Sequence, residues 1–508
     1  MYSQQSSPTL SLSPALGLLG LLLAAALALA SCADAKTQTP SDATDTAEQE
    51  LDEQSPELDG DELDTPEPDE EDADAPDRPD PPDQELDHHE TEPDEADEQE
   101  LPHTWVACTH PLSIPEHLLL EEQFNEELEH DWVRVERWHD NRELYPVDDY
   151  VPDGRNDQRG EMETLFGSPT PPSSSFLLHY APGWDALDRS EQAPVLLVHG
   201  TASNADHSWA DPGVFGYCGA LSCPDEGLMQ FLASQGKRVF AVSFAQMQGD
   251  NIAWAEQIAN AVAIVRERTG SPDVDLIAWS KGGFATQLFV SGLELSDNAR
   301  MADCVQKLIF IGTPHKGLDY PFRYGILPST GIYTMCGVGA NAPSPHTMMT
   351  CYFVPYQQPE LTIYATEEGD FYPGQRQMLY RWDELYPVST INQDYYTTYY
   401  GGLGFVSESL GIDAAIEQGS LVAGLLERSI PSHIQVYSLC GGAADIPLVL
   451  NETAGPSDGV LLLDSCSYHD NIPRLAEAFV DEELNHFELG WAESAMLRID
   501  GWLDQPWE

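Results

Sequence analysis

The stretch Asp275-Leu276-Ile277-Ala278-Trp279-Ser280-Lys281-Gly282-Gly283 sets the fold. Residues 274–278 form a short, mostly apolar run of the kind that fills a buried parallel strand. Residues 282–293 carry apolar side chains at helical spacing. Only a tight turn fits between them, and Ser280 stands on it. Ala278 and Gly282, two positions before and two after, are small enough to let strand and helix approach closely. A serine held this way is presented on a strained backbone with a helix N-terminus behind it, and that helix end favours negative charge beside the hydroxyl. A serine that merely caps a helix is the plainer alternative. Strand, turn and helix together favour a nucleophile.

Working outward, Val195-Leu196-Leu197-Val198 is a second buried run, bounded by Pro194 and His199-Gly200. Residues 239–244, 307–311 and 433–439 read as further strands, and 460–463 as a sixth. Residues 252–268 have helical spacing and stop at Gly270. Strands alternating with helices imply an α/β fold built on a doubly wound, mainly parallel sheet. Ligands of such sheets bind at the carboxyl ends of the strands, where each segment discussed next also falls.

Five of these segments resemble those of bacterial triacylglycerol lipases and esterases of the α/β-hydrolase superfamily. They are Val198-His199-Gly200-Thr201, Trp279-Ser280-Lys281-Gly282-Gly283, Gly312-Thr313-Pro314-His315-Lys316-Gly317, Ser457-Asp458-Gly459-Val460 and Asn485-His486-Phe487-Glu488. The resemblance covers about 190–318 and 433–495. It implies a nucleophile elbow with Ala278 at the first glycine position, and triad members in the order serine, acid, histidine. The acid would be Asp458, preferred over Asp445, Asp464 and Asp470. The base would be His486, preferred over His469. The two oxyanion donors would be the backbone N–H groups of Thr201 and Lys281. His199 and His315 would be structural. The resemblance also pairs Cys440 with Cys466. It allows a structural calcium near the base, with Glu488 at a matching position, but traces no other ligand; no cofactor is required and no metal ligands are assigned.

Composition narrows the alternatives. Of the 508 residues, 87 are acidic and 22 basic, and the formal net charge is −65. Residues 41–100 hold 29 acidic residues against one basic residue, Arg78. Residues 101–508 remain strongly acidic, with 57 acidic and 20 basic residues. Such a surface repels nucleic acid. With only five lysines, it suits a salty medium in which charge is screened.

Residues 16–30 form an apolar run too short for a spanning helix and right for a leader peptide. It ends in Leu29-Ala30-Ser31-Cys32, which resembles a bacterial lipobox. The expectation is an exported lipoprotein, cleaved before Cys32 and anchored through a lipid on that cysteine at the cell surface or in the periplasm. Residues 32–103 are too poor in large apolar side chains to fold, and read as an acidic tether. Residues 104–508 form the hydrolase domain, with the core at 190–318 and 433–508 and a cap insertion at 319–432.

With Cys32 lipidated, eight cysteines remain, an even number suited to disulfides in an exported protein. Nearness in sequence suggests Cys218–Cys223, Cys336–Cys351 and Cys440–Cys466, leaving Cys108 with Cys304; connectivity does not follow from sequence alone. No CxxC pair supports a zinc site. The segment between Gly317 and His433 holds 13 of the 20 tyrosines. They suit either a lid that receives acyl chains or a packed cap with an aromatic core. Trp132, Trp138 and Trp184 suggest that residues 104–190 fold against the core. The function expected is cleavage of carboxylic esters through an acyl-enzyme on Ser280. The alternatives are an extracellular polyester depolymerase, an acyltransferase, and a non-catalytic surface binding protein on the same scaffold.

Overall fold

The computed structural model describes residues 107–151, 155–186, 192–324, 346–348, 362–388, 393–404, 407–447 and 449–507. All lie within the unit Ala96–Glu508. The expected leader, Cys32, the acidic tether and the Cys336–Cys351 pair lie outside the described residues. Among those described, no helix is long and apolar enough to cross a membrane.

A nine-stranded sheet forms the centre. Its strands are β1 (Leu118–Phe124), β2 (Arg134–Asp140), β3 (Ser175–Tyr180), β4 (Val195–Val198), β5 (Val239–Phe244), β6 (Val274–Trp279), β7 (Val305–Ile311), β8 (Gln435–Gly441) and β9 (Leu475–Asp481). They lie in the order β1-β2-β3-β5-β4-β6-β7-β8-β9. The block from β5 through β9 is parallel throughout, and β1, β2 and β3 add an antiparallel edge. This is the α/β-hydrolase architecture. The order reverses around β4, which puts the switch point, where ligands of such sheets bind, at the carboxyl ends of β4 and β6.

The pleat explains the two core layers. Leu196, Val198, Phe240, Val242, Leu276 and Ala278 face one side and pack with α2 (Asn251–Thr269) and α3 (Lys281–Ser291). Val195, Leu197, Val239, Ala241, Ile277 and Trp279 face the other, against α1 (Leu228–Ser234) and α5 (Glu493–Asp504). Residues i and i+2 share a face in a strand, and burial on both faces gives the continuous apolar runs seen in the sequence. The first layer runs on into the insertion through Ile363, Tyr364, Met378, Leu379, Tyr399 and Ile412.

One expectation changes and two are sharpened. Residues 460–463 do not form a core strand. Ser457 bridges Leu462 within a tight loop, and Leu463–Cys466 is a short helix. The edge strand after β8 is β9 instead; it is half-exposed and mixes Leu475, Ala476 and Phe479 with Glu477 and Asp481, so no buried apolar run marks it. The segment before the first core strand supplies three strands of the main sheet, and the buried Trp132 and Trp138 belong to its packing. In the insertion, Tyr364, Tyr372 and Tyr399 are buried while Tyr396 and Tyr400 are exposed. The described part of the insertion is therefore mainly packed against the core, and it carries α4 (Pro373–Gln377).

Candidate active site

β6 ends at Trp279, and Ser280 has φ 54° and ψ −124° before α3 begins at Lys281. A left-handed backbone is costly for a non-glycine residue, and the surroundings hold it in place. Ser280 N–H donates to Ile311 O at 2.8 Å, and Ser280 O accepts Phe284 N–H at 3.2 Å. A Cβ on Gly282 would fall 2.2 Å from His199 O, and one on Gly283 would fall 1.9 Å from Thr313 Oγ1. Both glycines are needed for α3 to lie against the ends of β4 and β7.

The structure brings Ser280, His486 and Asp458 together. His486 Nε2 lies 3.0 Å from Ser280 Oγ, and His486 Nδ1 lies 2.7 Å from Asp458 Oδ2. A carboxylate only accepts, so Nδ1 carries the proton and Nε2 is left to accept from the serine hydroxyl. Asp458 Oδ1 accepts Val460 N–H at 3.0 Å and Leu461 N–H at 2.7 Å. The backbone N–H of His486 donates to Asp458 O at 2.8 Å, tying the two loops together. Asp458 and His486 are buried and Ser280 is 8% exposed. Gly312, at φ 49°, leaves room for the imidazole, because a Cβ there would come within 3.1 Å of the ring. In such an arrangement the serine can lose its proton to the ring while the carboxylate steadies the resulting cation.

The rivals sit elsewhere. Asp464 accepts the Tyr386 hydroxyl, and Asp445 accepts the Asn485 amide. His469 stacks edge-on to His315, 5.5 Å away. His315 is fully buried and bonds to Gln287 Oε1 through Nδ1; burial holds it well below the ordinary imidazole range.

The two expected anion donors flank the serine. A Cβ on Gly200 would fall 3.1 Å from Ser280 Cβ, so the chain entering Thr201 passes directly against the nucleophile. His199 Nδ1–H donates to Gly200 O at 2.7 Å, and its Nε2 accepts Phe244 N–H at 3.3 Å. Complete burial pushes His199 down to about 3, so the ring is neutral. Gly200 C=O and Thr201 N–H belong to one trans peptide and point in opposite directions. Fixing the carbonyl on His199 therefore turns the Thr201 N–H away from that ring. Lys281 N–H opens α3 and has no acceptor inside the helix. The Lys281 side chain turns away: its Nζ is buried 2.9 Å from the Trp254 ring centre without a hydrogen-bond partner, and burial drives it well below the ordinary lysine range.

Disulfides close three of the expected pairs, Cys108–Cys304, Cys218–Cys223 and Cys440–Cys466. The third spans the loop that carries Asp458. Near the base, Glu488 accepts Asn485 N–H at 3.1 Å, and burial beside Asp445 and Asp481 raises its carboxyl. Among the described residues, three potential metal ligands converge only at Glu129, His130 and Glu161. There His130 already pairs with Glu129 and Asp211, at 3.6 and 3.5 Å.

Two buried glutamines beside Thr201 escaped the sequence reading. Gln248 follows β5 and Gln375 lies on α4; neither stands in a motif, and only the folded chain brings them to Thr201.

No family model matches the chain, and no curated protein matches it. Solved structures similar to it are lipases, esterases and epoxide hydrolases of the α/β-hydrolase fold. A lipase of Bacillus licheniformis is 12% identical, with 61% of this chain and 92% of that one covered and a TM-score of 0.34. An epoxide hydrolase mutant of Vigna radiata is 15% identical, over 65% of this chain and 93% of that one, with a TM-score of 0.31. Lipase B of Aspergillus fumigatus is 14% identical, over 65% of this chain and 57% of that one, with a TM-score of 0.31.

Proposed function

We propose that the chain is an exported serine hydrolase that cleaves carboxylic esters of the triacylglycerol type. The observation that carries this reading is the continuous hydrogen-bonded chain from Ser280 Oγ through His486 to Asp458, with the serine on a strained strand-to-helix turn. Ser280 Oγ attacks the ester carbonyl carbon and its proton passes to His486 Nε2. The N–H groups of Thr201 and Lys281 hold the oxyanion. The tetrahedral intermediate collapses by breaking the bond to the alcohol, which leaves with the proton from His486. Water then attacks the acyl-enzyme, giving a proton to His486 as its oxygen bonds the acyl carbon. Collapse releases the acid and returns the proton to Ser280. Asp458 orients the ring and steadies its cation.

Export through the leader at residues 16–30 and lipid anchoring on Cys32 are part of the proposal. Disulfides, which persist in oxidising compartments, support export.

The test is turnover of p-nitrophenyl esters of rising chain length, a triglyceride emulsion and a polyester film. Activity on soluble and emulsified esters that Ser280→Ala abolishes is expected. Turnover that persists in the variant contradicts the assignment. Preferential attack on the film would move the substrate to polyesters.

A further inference from the structure

Thr201 has a second feature besides its backbone N–H. Its hydroxyl donates to Gln248 Oε1 at 2.6 Å and accepts from Gln375 Nε2, also at 2.6 Å. Gln375 Nε2 lies 3.1 Å from Gln248 Oε1, which closes a triangle. Both glutamines are buried. Gln375 belongs to α4 in the insertion, whereas Thr201 and Gln248 belong to loops at the ends of β4 and β5.

The cap helix is fastened to the same place from both ends. Gly374 N–H donates to Gln248 O at 3.1 Å, and Asn251 Nδ2 donates to Gly374 O at 2.8 Å. Gln377 accepts Asn251 N–H at 2.7 Å and donates to Asp250. A Cβ on Gly374 would fall 2.2 Å from both Gly249 O and Lys281 Cε. Lifting α4 would strand all of these buried groups without partners, which is costly.

We infer that Gln375, a residue of the insertion, is a positioning residue for the oxyanion site: with Gln248 it clamps the Thr201 side chain while His199 clamps the preceding carbonyl. The Gly200–Thr201 peptide is thus held on both flanks, and its N–H faces the serine before substrate arrives. A preorganised donor needs no reorientation when charge develops. On this account α4 is a fixed wall of the site. The inference rests on the ester-hydrolase reading and deepens it.

The experiment measures kcat and KM on a short p-nitrophenyl ester, normalised to sites titrated with a fluorophosphonate. Gln375→Ala is expected to lower kcat per titrated site about 10- to 100-fold, with KM within about threefold. Thr201→Val removes the hydroxyl but keeps the N–H, and should match that loss. Thr201→Ser keeps the hydroxyl and should stay within about threefold of the parent. The double variant Q375A/T201V should lose little more than either single one, because both break the same clamp. Gln377→Ala loosens α4 without touching Thr201, so it should lower thermal stability and leave kcat per site unchanged. If Gln375→Ala folds too poorly to titrate, Thr201→Val against Thr201→Ser reads the same claim. An unchanged kcat per site in Gln375→Ala or Thr201→Val overturns the inference, as does a loss in Thr201→Ser equal to that in Thr201→Val. A parent protein that takes no fluorophosphonate sinks the hydrolase reading, and this inference with it.

Discussion

Asp458 has both oxygens occupied, one by the imidazole and one by two backbone N–H groups. Its loss therefore removes both the tautomer lock and the loop anchor. Asp458→Asn keeps the shape but presents an amide to His486 Nδ1, and kcat should fall about 10³- to 10⁴-fold with little change in KM. A drop under tenfold in steady-state kinetics would remove Asp458 from the reaction. Asp206 gives a prediction about pH. Burial pushes its carboxyl up to about 7, and Trp132 Nε1 donates to it at 2.8 Å. Because the folded value lies above the unfolded one, its stabilising contribution is full below about pH 4 and declines as pH rises toward 7. Asp206→Asn keeps the acceptor and drops the charge, so it should stabilise the protein by on the order of 2 kcal/mol at pH 8 and by much less at pH 5. Thermal melts at the two pH values check this. Ser280 was legible from its strand-to-helix turn, whereas Asp458 and His486 were legible only through the resemblance of their short segments to those of lipases. Gln248 and Gln375 were not, since an isolated glutamine carries no local pattern and its partners lie 127 positions apart.

The elbow depends on close approach between elements. Gly282→Ala would drive a Cβ into the backbone carbonyl of His199, which cannot rotate away. Gly501, inside α5, has nothing within 4 Å of the same added atom. Gly282→Ala should therefore cost several kcal/mol, roughly 3 or more, and abolish activity, whereas Gly501→Ala should stabilise by about 0.5–1 kcal/mol. Denaturant melts of the two variants make the comparison. The Cys440–Cys466 disulfide joins β8 to the far side of the Asp458 loop, across 26 positions. Replacing both cysteines with serine should destabilise by about 3 kcal/mol. The runs that became β4, β5, β6, β7 and β8 were readable because burial on both faces leaves no polar alternation. β1 and β9 were not, because edge strands are half-exposed and hold charged side chains such as Glu121, Glu122 and Glu477. The residues at 460–463 misled because an apolar loop that covers the acid is as apolar as a strand.

Across the whole molecule, residues 101–508 carry 57 acidic and 20 basic residues. Like-charge repulsion opposes compaction, and added salt screens it within about 10 Å at 0.1 M and 3 Å at 1 M. The melting temperature should therefore rise by roughly 5–10 °C between 0.05 and 1 M sodium chloride; a flat profile would mean that the surface charges are already neutralised in pairs. The fold class was open to reading because it needs only the alternation of a few buried runs with helices. The insertion was not, since its tyrosines divide between core and surface by tertiary placement: Tyr399 is buried and Tyr400, the next residue, is exposed. Everything proposed for this chain turns on whether the hydroxyl at position 280 is a nucleophile. The direct measurement is intact-mass and peptide mapping after exposure to a fluorophosphonate. One adduct confined to Ser280 in the parent, none in Ser280→Ala and a rate at least about a thousandfold lower in His486→Ala are predicted. An unlabelled parent, or an adduct that survives Ser280→Ala, would contradict the account.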